Sequence, residues 1–149
     1  MNELRIGNLT VAVPIIQGGM GVGISLSGLA AAVANEGGVG VISSAGLGLL
    51  YKEYSGNLFE ASIHGLKEEI RKAREKTKGV IGVNVMVAMT NFVDMIKTSI
   101  AEKVDVIIAG AGLPLDLPSF LKKDSVTKLV PIVSSARAVF SVVTCLHET

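Results

Sequence analysis

Glycines gathered at the ends of apolar runs are the first chemical feature of this 149-residue chain. Gly18, Gly19, Gly21 and Gly23 follow the run Val11 to Ile16. With no Cβ in the way, their amides can turn toward a flat or anionic ligand. A tight turn from strand to helix uses the same residue type, so both uses remain open here. Gly19-x-Gly21 copies part of a dinucleotide fingerprint, but the third glycine and the acidic residue after the next strand are out of place. Asn84 sits in the apolar run Gly82-Val83-Asn84-Val85-Met86-Val87. A buried amide left unpaired costs about 1–3 kcal/mol, so a structural network or a ligand edge with donors and acceptors must satisfy it. Gly110-Ala111-Gly112 and Ser134-Ser135 close two further apolar runs and would converge on the same mouth.

Other reactive residue types are poorly placed. His64 falls within an amphipathic helical pattern and reads as a surface or packing histidine, and His147 lies close to the last residue. Catalytic groups of barrels sit at the C-terminal ends of strands, so neither is a persuasive general base. No metal-ligand spacing and no Ser/His/Asp order is present. Cys145 reads as a small buried hydrophobe, and Arg137 as a solvated charge at the start of the last helix. Met20, Met86 and Met89 are core filler by residue type, although Met20 and Met89 near strand ends could line an apolar cavity.

Five strands and their helices are expected to position these residues. Val11 to Ile16 is the first strand. Ser25 or Ser27 then caps a helix through Leu26, Leu29, Ala30, Val33 and Ala34, which Gly37 ends. Val39 to Ile42 is the second strand, closing on Ser43-Ser44-Ala45-Gly46. A turn at Ser55-Gly56-Asn57 leads to a helix with Phe59, Ile63, Leu66, Ile70 and Ala73 on one face. Val80 to Val87 is the third strand, and Asn91 with Asp94 resembles a capping box for a helix through Ile100. Val104 to Ala109 and Leu129 to Val133 are the fourth and fifth, with a final helix from Ala136 to Leu146. Strands apolar on both faces and separated by helices call for a parallel α/β sheet. Glycine or small polar residues after every strand favour the N-terminal half of a (β/α)8 barrel, about five βα units, over a doubly wound sheet. A closed barrel needs roughly 250 residues.

Composition narrows the partners. Lys and Arg number 14 against 13 Asp and Glu, which gives no electrostatic reason to expect nucleic acid or an anionic membrane. The uncharged stretch Ile6 to Asn35 is broken by Pro14 and six glycines, unlike a membrane span. One cysteine and an N-terminus without a secretory pattern point to the cytoplasm. The expected partner is a small molecule.

Pro14-Ile15-Ile16-Gln17-Gly18-Gly19-Met20-Gly21, Ala30-Ala31-Ala32-Val33 and Gly37-Gly38-Val39-Gly40-Val41-Ile42 resemble the nitronate monooxygenase family, formerly 2-nitropropane dioxygenases. The flavin-dependent enoyl-[acyl-carrier-protein] reductases belong to the same superfamily. The resemblance continues through Gly82-Val83-Asn84-Val85-Met86, Gly110-Ala111-Gly112-Leu113-Pro114 and Pro131-Ile132-Val133-Ser134-Ser135. It implies an FMN-dependent (β/α)8 barrel of which residues 1–149 form only the N-terminal part, with Gly19 and Met20 against the flavin ring and Asn84 hydrogen-bonding it. Gly110 and Gly112 complete the implied cofactor contacts. The implied activity is oxidation of alkyl nitronates with O2, or else reduction of an enoyl thioester by a nicotinamide donor. The family's glycine-glycine-histidine motif, which supplies the base, and its FMN phosphate loops have no match here, so no catalytic residue is assigned. A half barrel of this kind would have unpaired edges, suited to a homo-oligomer or a complementary barrel half.

Overall fold

The computed structural model describes residues 2–54, 56–122 and 124–147, with side chains of the last helix described to residue 142. The side chains of Cys145 and His147 therefore lie outside the described residues.

A short hairpin comes first. β1 (Leu4–Ile6) pairs antiparallel with β2 (Leu9–Val11), and Leu4 faces Val11 while Ile6 faces Leu9. Gly7, at φ +61, takes the first position of the two-residue turn, where glycine suits a type II′ hairpin. This hairpin is not among the five expected strands, although the alternation of Leu4, Arg5 and Ile6 with Leu9, Thr10 and Val11 is that of a one-sided strand pair.

Four parallel strands form the sheet: β3 (Val39–Ser43), β4 (Val80–Met86), β5 (Val106–Gly110) and β6 (Lys128–Pro131). They are hydrogen-bonded in that order. Sequential order without reversal is the winding of a barrel and excludes the doubly wound alternative, which turns back at a switch point. The expected first strand is a correction. Residues 13–17 run alongside β3, with Val39 N–H donating to Ile15 O and Gln17 N–H to Val39 O, but form only a single bridge, Ile16 to Val39. Pro14 has no N–H to give a ladder.

The helices are α1 (Ser27–Asn35), α2 (Leu47–Leu50), α3 (Leu58–Lys76), α4 (Phe92–Ala101) and α5 (Ala136–His147). Between β5 and β6 the expected α-helix is replaced, among the described residues, by one 3-10 turn, Leu117–Phe120. Pro114 and Pro118 there oppose a longer helix. Gly37 ends α1 as expected, at φ +86. Neither expected serine caps α1, whose N-cap is Leu26, and Asn91 precedes α4 without a capping side-chain bond. Asn57 does cap α3, its side chain accepting from Phe59 N at 2.9 Å.

The two faces of the sheet have different partners. Ile42, Ile81, Val83, Val85, Ile107 and Ala109 are buried with Leu66, Ile70, Met95 and Ile96 from the helices. Val39, Val41, Val106 and Ile108, on the other face, are buried against Val11 with Leu4, Ile6 and Leu9 beside them. The hairpin thus covers the inner face of a half barrel, while the helices cover the outer face. Among the described residues, no helix is long and apolar enough to cross a membrane.

Candidate functional site: the glycine rim at the strand ends

Strand register aligns the residues of the inner face in rows. Ser43 pairs with Asn84, Asn84 with Ile108, and Ile108 with Val130. One step further on, Met86 pairs with Gly110. These are the last rows before the strands give way to loops.

The Gln17–Ser25 loop lies against this end of the sheet. A Cβ on Gly19 would overlap Asn84 Cβ, and one on Gly21 would meet the Ala45 Cβ and carbonyl at 3.1 Å. Gly46, at φ +78, abuts Val22 in the same way. Close packing therefore requires Gly19 and favours glycine at position 21, whatever ligand is bound. Gly18 differs, because a Cβ there would have nothing within 4 Å. Met20 projects beside it and is 63% exposed.

Two polar side chains hold this loop: Gln17, to which the sequence assigns no role of its own, and Ser25, expected there only as a helix cap. The Gln17 amide donates to Val41 O at 3.1 Å and accepts from Val41 N at 3.2 Å, filling the place of a strand neighbour with a side chain. Its Nε2 also reaches Ser25 Oγ. Ser25 is fully buried, its hydroxyl donating to Gly18 O at 3.2 Å and accepting from Met20 N at 3.0 Å. Ser25 O then accepts from Ser43 N, which ties the loop to β3. This use of Ser25 is why it does not cap α1. Ser44 spans the next gap, its N and Oγ both donating to Asn84 O.

Asn84 is half-buried, and one Nδ2 hydrogen reaches Ile108 O at 3.5 Å, the long limit of a hydrogen bond. Its Oδ1 and second N–H retain capacity for a ligand. At the far side of the rim, a Cβ on Gly110 would meet Ile132 at 2.9 Å, and one on Gly112, at φ +152, would meet Val87 at 2.8 Å. Ala111 between them holds φ +56. The structure brings Gly19 and Asn84 into contact, with Met20 on the adjoining loop segment and Gly110 one register row above. Ser135 is used otherwise: its hydroxyl accepts from Ala138 N at the start of α5. His64 stacks on Tyr54 at 3.7 Å, the packing role read from its helix, and Arg137 is exposed.

No ionisable side chain occurs in the segments 17–25, 43–46, 84–87 and 110–112. A ligand there would be met by backbone amides, one side-chain amide and apolar surface. Among the described residues, no three His, Cys, Asp or Glu side chains come together to hold a metal ion.

The nitronate monooxygenase family model matches residues 2–145. The chain belongs to the nitronate monooxygenase family. Solved structures agree. FabK from Thermotoga maritima superposes with a TM-score of 0.73 at 30% identity, over 91% of this chain and 38% of FabK. Its M276A mutant gives 0.73 at 32% identity, over 91% and 40%. A nitroalkane oxidase from Streptomyces ansochromogenes gives 0.72 at 19% identity, over 91% and 44%. The chain thus spans about two-fifths of the length of these structures. No curated protein matches it.

Proposed function

We propose that the rim is the ring-facing side of an FMN site, and that the family barrel to which this chain contributes oxidises alkyl nitronates with O2. The observation that carries the reading is the bare rim itself: open backbone at Gly18, exposed Met20, and an Asn84 amide with unused capacity. A neutral, flat, hydrogen-bonding ring fits such a surface better than a charged ligand does, because the rim has no ionised group. Gly19 and Met20 would lie against the ring, Asn84 would bond its polar edge, and Gly110 and Gly112 would keep the opposite loop clear of it. When bound, FMN supplies the electron transfer between substrate and O2, while these residues orient the ring and exclude water. A cleft of about 280 Å³ beside Gly46, lined by Leu49, Leu58, Phe59 and Met89, offers space for an alkyl group.

Titration of the chain with FMN tests the reading, with flavin fluorescence and nitronate-dependent O2 uptake as readouts. Quenching that saturates supports it, and the absence of both signals removes it. The chain spans two-fifths of its solved relatives, so quenching without uptake would assign turnover to a complete barrel.

A second reading, FMN-dependent reduction of an enoyl thioester, draws on the higher identity to FabK, 30% against 19% for the nitroalkane oxidase. NAD(P)H consumption dependent on crotonyl thioester would favour it. Under either reading the open edges of the sheet call for a second copy or a complementary barrel half as partner.

A further inference from the structure

Glu69 is the one charged residue among the fully buried described residues, at 4% exposure. A carboxylate taken out of water must be paired or strongly hydrogen-bonded. Here its two oxygens serve different elements. Oε2 accepts from the backbone N–H of Ser27, the first residue of α1, at 2.7 Å. Oε1 accepts from the Tyr51 hydroxyl, just after α2, at 2.5 Å. Lys72 lies 3.4 Å from Oε1 and donates to the Tyr51 hydroxyl at 2.8 Å. The Tyr51 ring is seated on Gly65, where a Cβ would meet it at 2.7 Å.

Each contact leads by a short path to the rim. Ser27 is two residues from Ser25, which binds Gly18 O and Met20 N. Tyr51 closes α2, which follows directly from Ala45 and Gly46, the residues that abut Gly21 and Val22. The N-terminus of α1 has no cap of its own and receives this one from α3, 42 residues away. A negative charge at a helix N-terminus is favourable there. An apolar side chain at position 69 could fill the space, but it could not grip both segments.

We propose that Glu69 is a positioning residue for the rim, one carboxylate that sets the Gly18–Gly23 loop against the Ser43–Gly46 loop. Its consequence for the cofactor rests on the FMN reading above.

The test compares Glu69→Ala and Glu69→Gln with Asp105→Ala. Asp105 accepts from Arg74 and from Ile81 N at the other end of the strands, so its loss should lower stability without touching the rim. Expected for Glu69→Ala is faster amide hydrogen exchange, by about tenfold or more, confined to residues 19–27 and 44–51. FMN affinity should fall about tenfold, with partial recovery in Glu69→Gln, whose amide oxygen can still accept one of the two bonds. Asp105→Ala, compared in conditions of equal global stability, should leave both readouts within about twofold. Equal acceleration of the rim by Asp105→Ala, or unchanged exchange at 19–27 in Glu69→Ala, overturns the proposal. If the unmodified chain binds no FMN, the FMN reading fails while exchange still decides the clamp. Should Glu69→Ala not fold, Tyr51→Phe removes one arm and is expected to quicken exchange at 44–51 alone, and uniform exchange would count against the clamp.

Discussion

Gly19 and Asn84 meet so closely that a Cβ on the glycine would overlap the asparagine Cβ. The loop after the first extended segment therefore rests directly on β4. Asn84 cannot rotate its Cβ away, so Gly19→Ala is expected to cost about 1–3 kcal/mol through overpacking. Asn84→Ala keeps the obstructing atom and should not relieve that cost. Asn84→Gly should relieve much of it, so a double-mutant cycle in urea would show coupling for glycine and not for alanine.

Ser25 joins three parts of the same loop through one buried hydroxyl. Ser25→Ala would leave Met20 N–H and Gly18 O without their partner. We expect a loss of about 1–3 kcal/mol in denaturant unfolding. Weaker quenching of added FMN should accompany it, because the residues released are those that the proposed function sets against the ring.

The parallel strands are legible because they are largely apolar on both faces and are followed by glycine or small polar residues, and four of the five appear in sequence order. The first is not a full strand. Val11 to Ile16 has the composition of a buried strand, but Pro14 lacks an N–H, and Gln17 completes the pairing with its side chain. Asn84 was legible as a polar residue in an apolar strand. Glu69 was not, since it sits among Glu68, Arg71 and Lys72 in a solvated helical pattern and its partners are 42 and 18 residues away. Nothing local marks which glutamate of a charged run turns inward. Gly19 and Gly21 stand out in the sequence as a glycine cluster after an apolar run, and the structure gives them a packing reason independent of any ligand.

Acid should act on the fold through Glu69. Burial pushes its carboxyl upward, but the bonds from Tyr51 and Ser27 and the Lys72 charge outweigh this and hold it below the usual range. As pH falls, the unfolded chain takes up this proton first. The contribution is thus present above the unfolded value, about 4.3, and is lost as pH drops through the folded one. Tyr51 is displaced upward, by burial first and then by its bond to Glu69. Its contribution is present below about pH 10 and lost as pH rises through the folded value. Unfolding free energies measured across pH should therefore show two limbs, and Glu69→Gln should flatten the acid one. An acid limb of unchanged slope in that variant would refute the assignment.

Lys103 follows α4 at φ +55, a left-handed conformation unfavourable for a residue with a Cβ, and its side chain is exposed. Its N–H donates to Ile100 O and closes the helix, a position glycine usually holds. Lys103→Gly should raise stability by about 0.5–1 kcal/mol, the relief of strain exceeding the added freedom of the unfolded chain. Arg74 contacts the carbonyl of residue 103, which glycine retains. A melting temperature unchanged or lowered by this substitution would show that the strain is not stored there.

The two sides of the sheet present apolar residues at the same level of exposure, Ile15 at 55% beside β3 and Ile132 at 53% just after β6. Among the described residues, β6 pairs with β5 on one side only. Unpaired backbone next to exposed isoleucine is a template for association, because a second strand gains ladder bonds and apolar burial together. Sedimentation of the chain at rising concentration is therefore expected to show self-association. Ile132→Lys should shift it toward the monomer, since a charge at that edge opposes strand addition. Because Ile132 also lies against Gly110, the substitution is expected to lower monomer stability by up to about 1 kcal/mol. A monomer that persists across the concentration range would show that these edges do not pair between copies, and would leave a complementary barrel half as the partner to test.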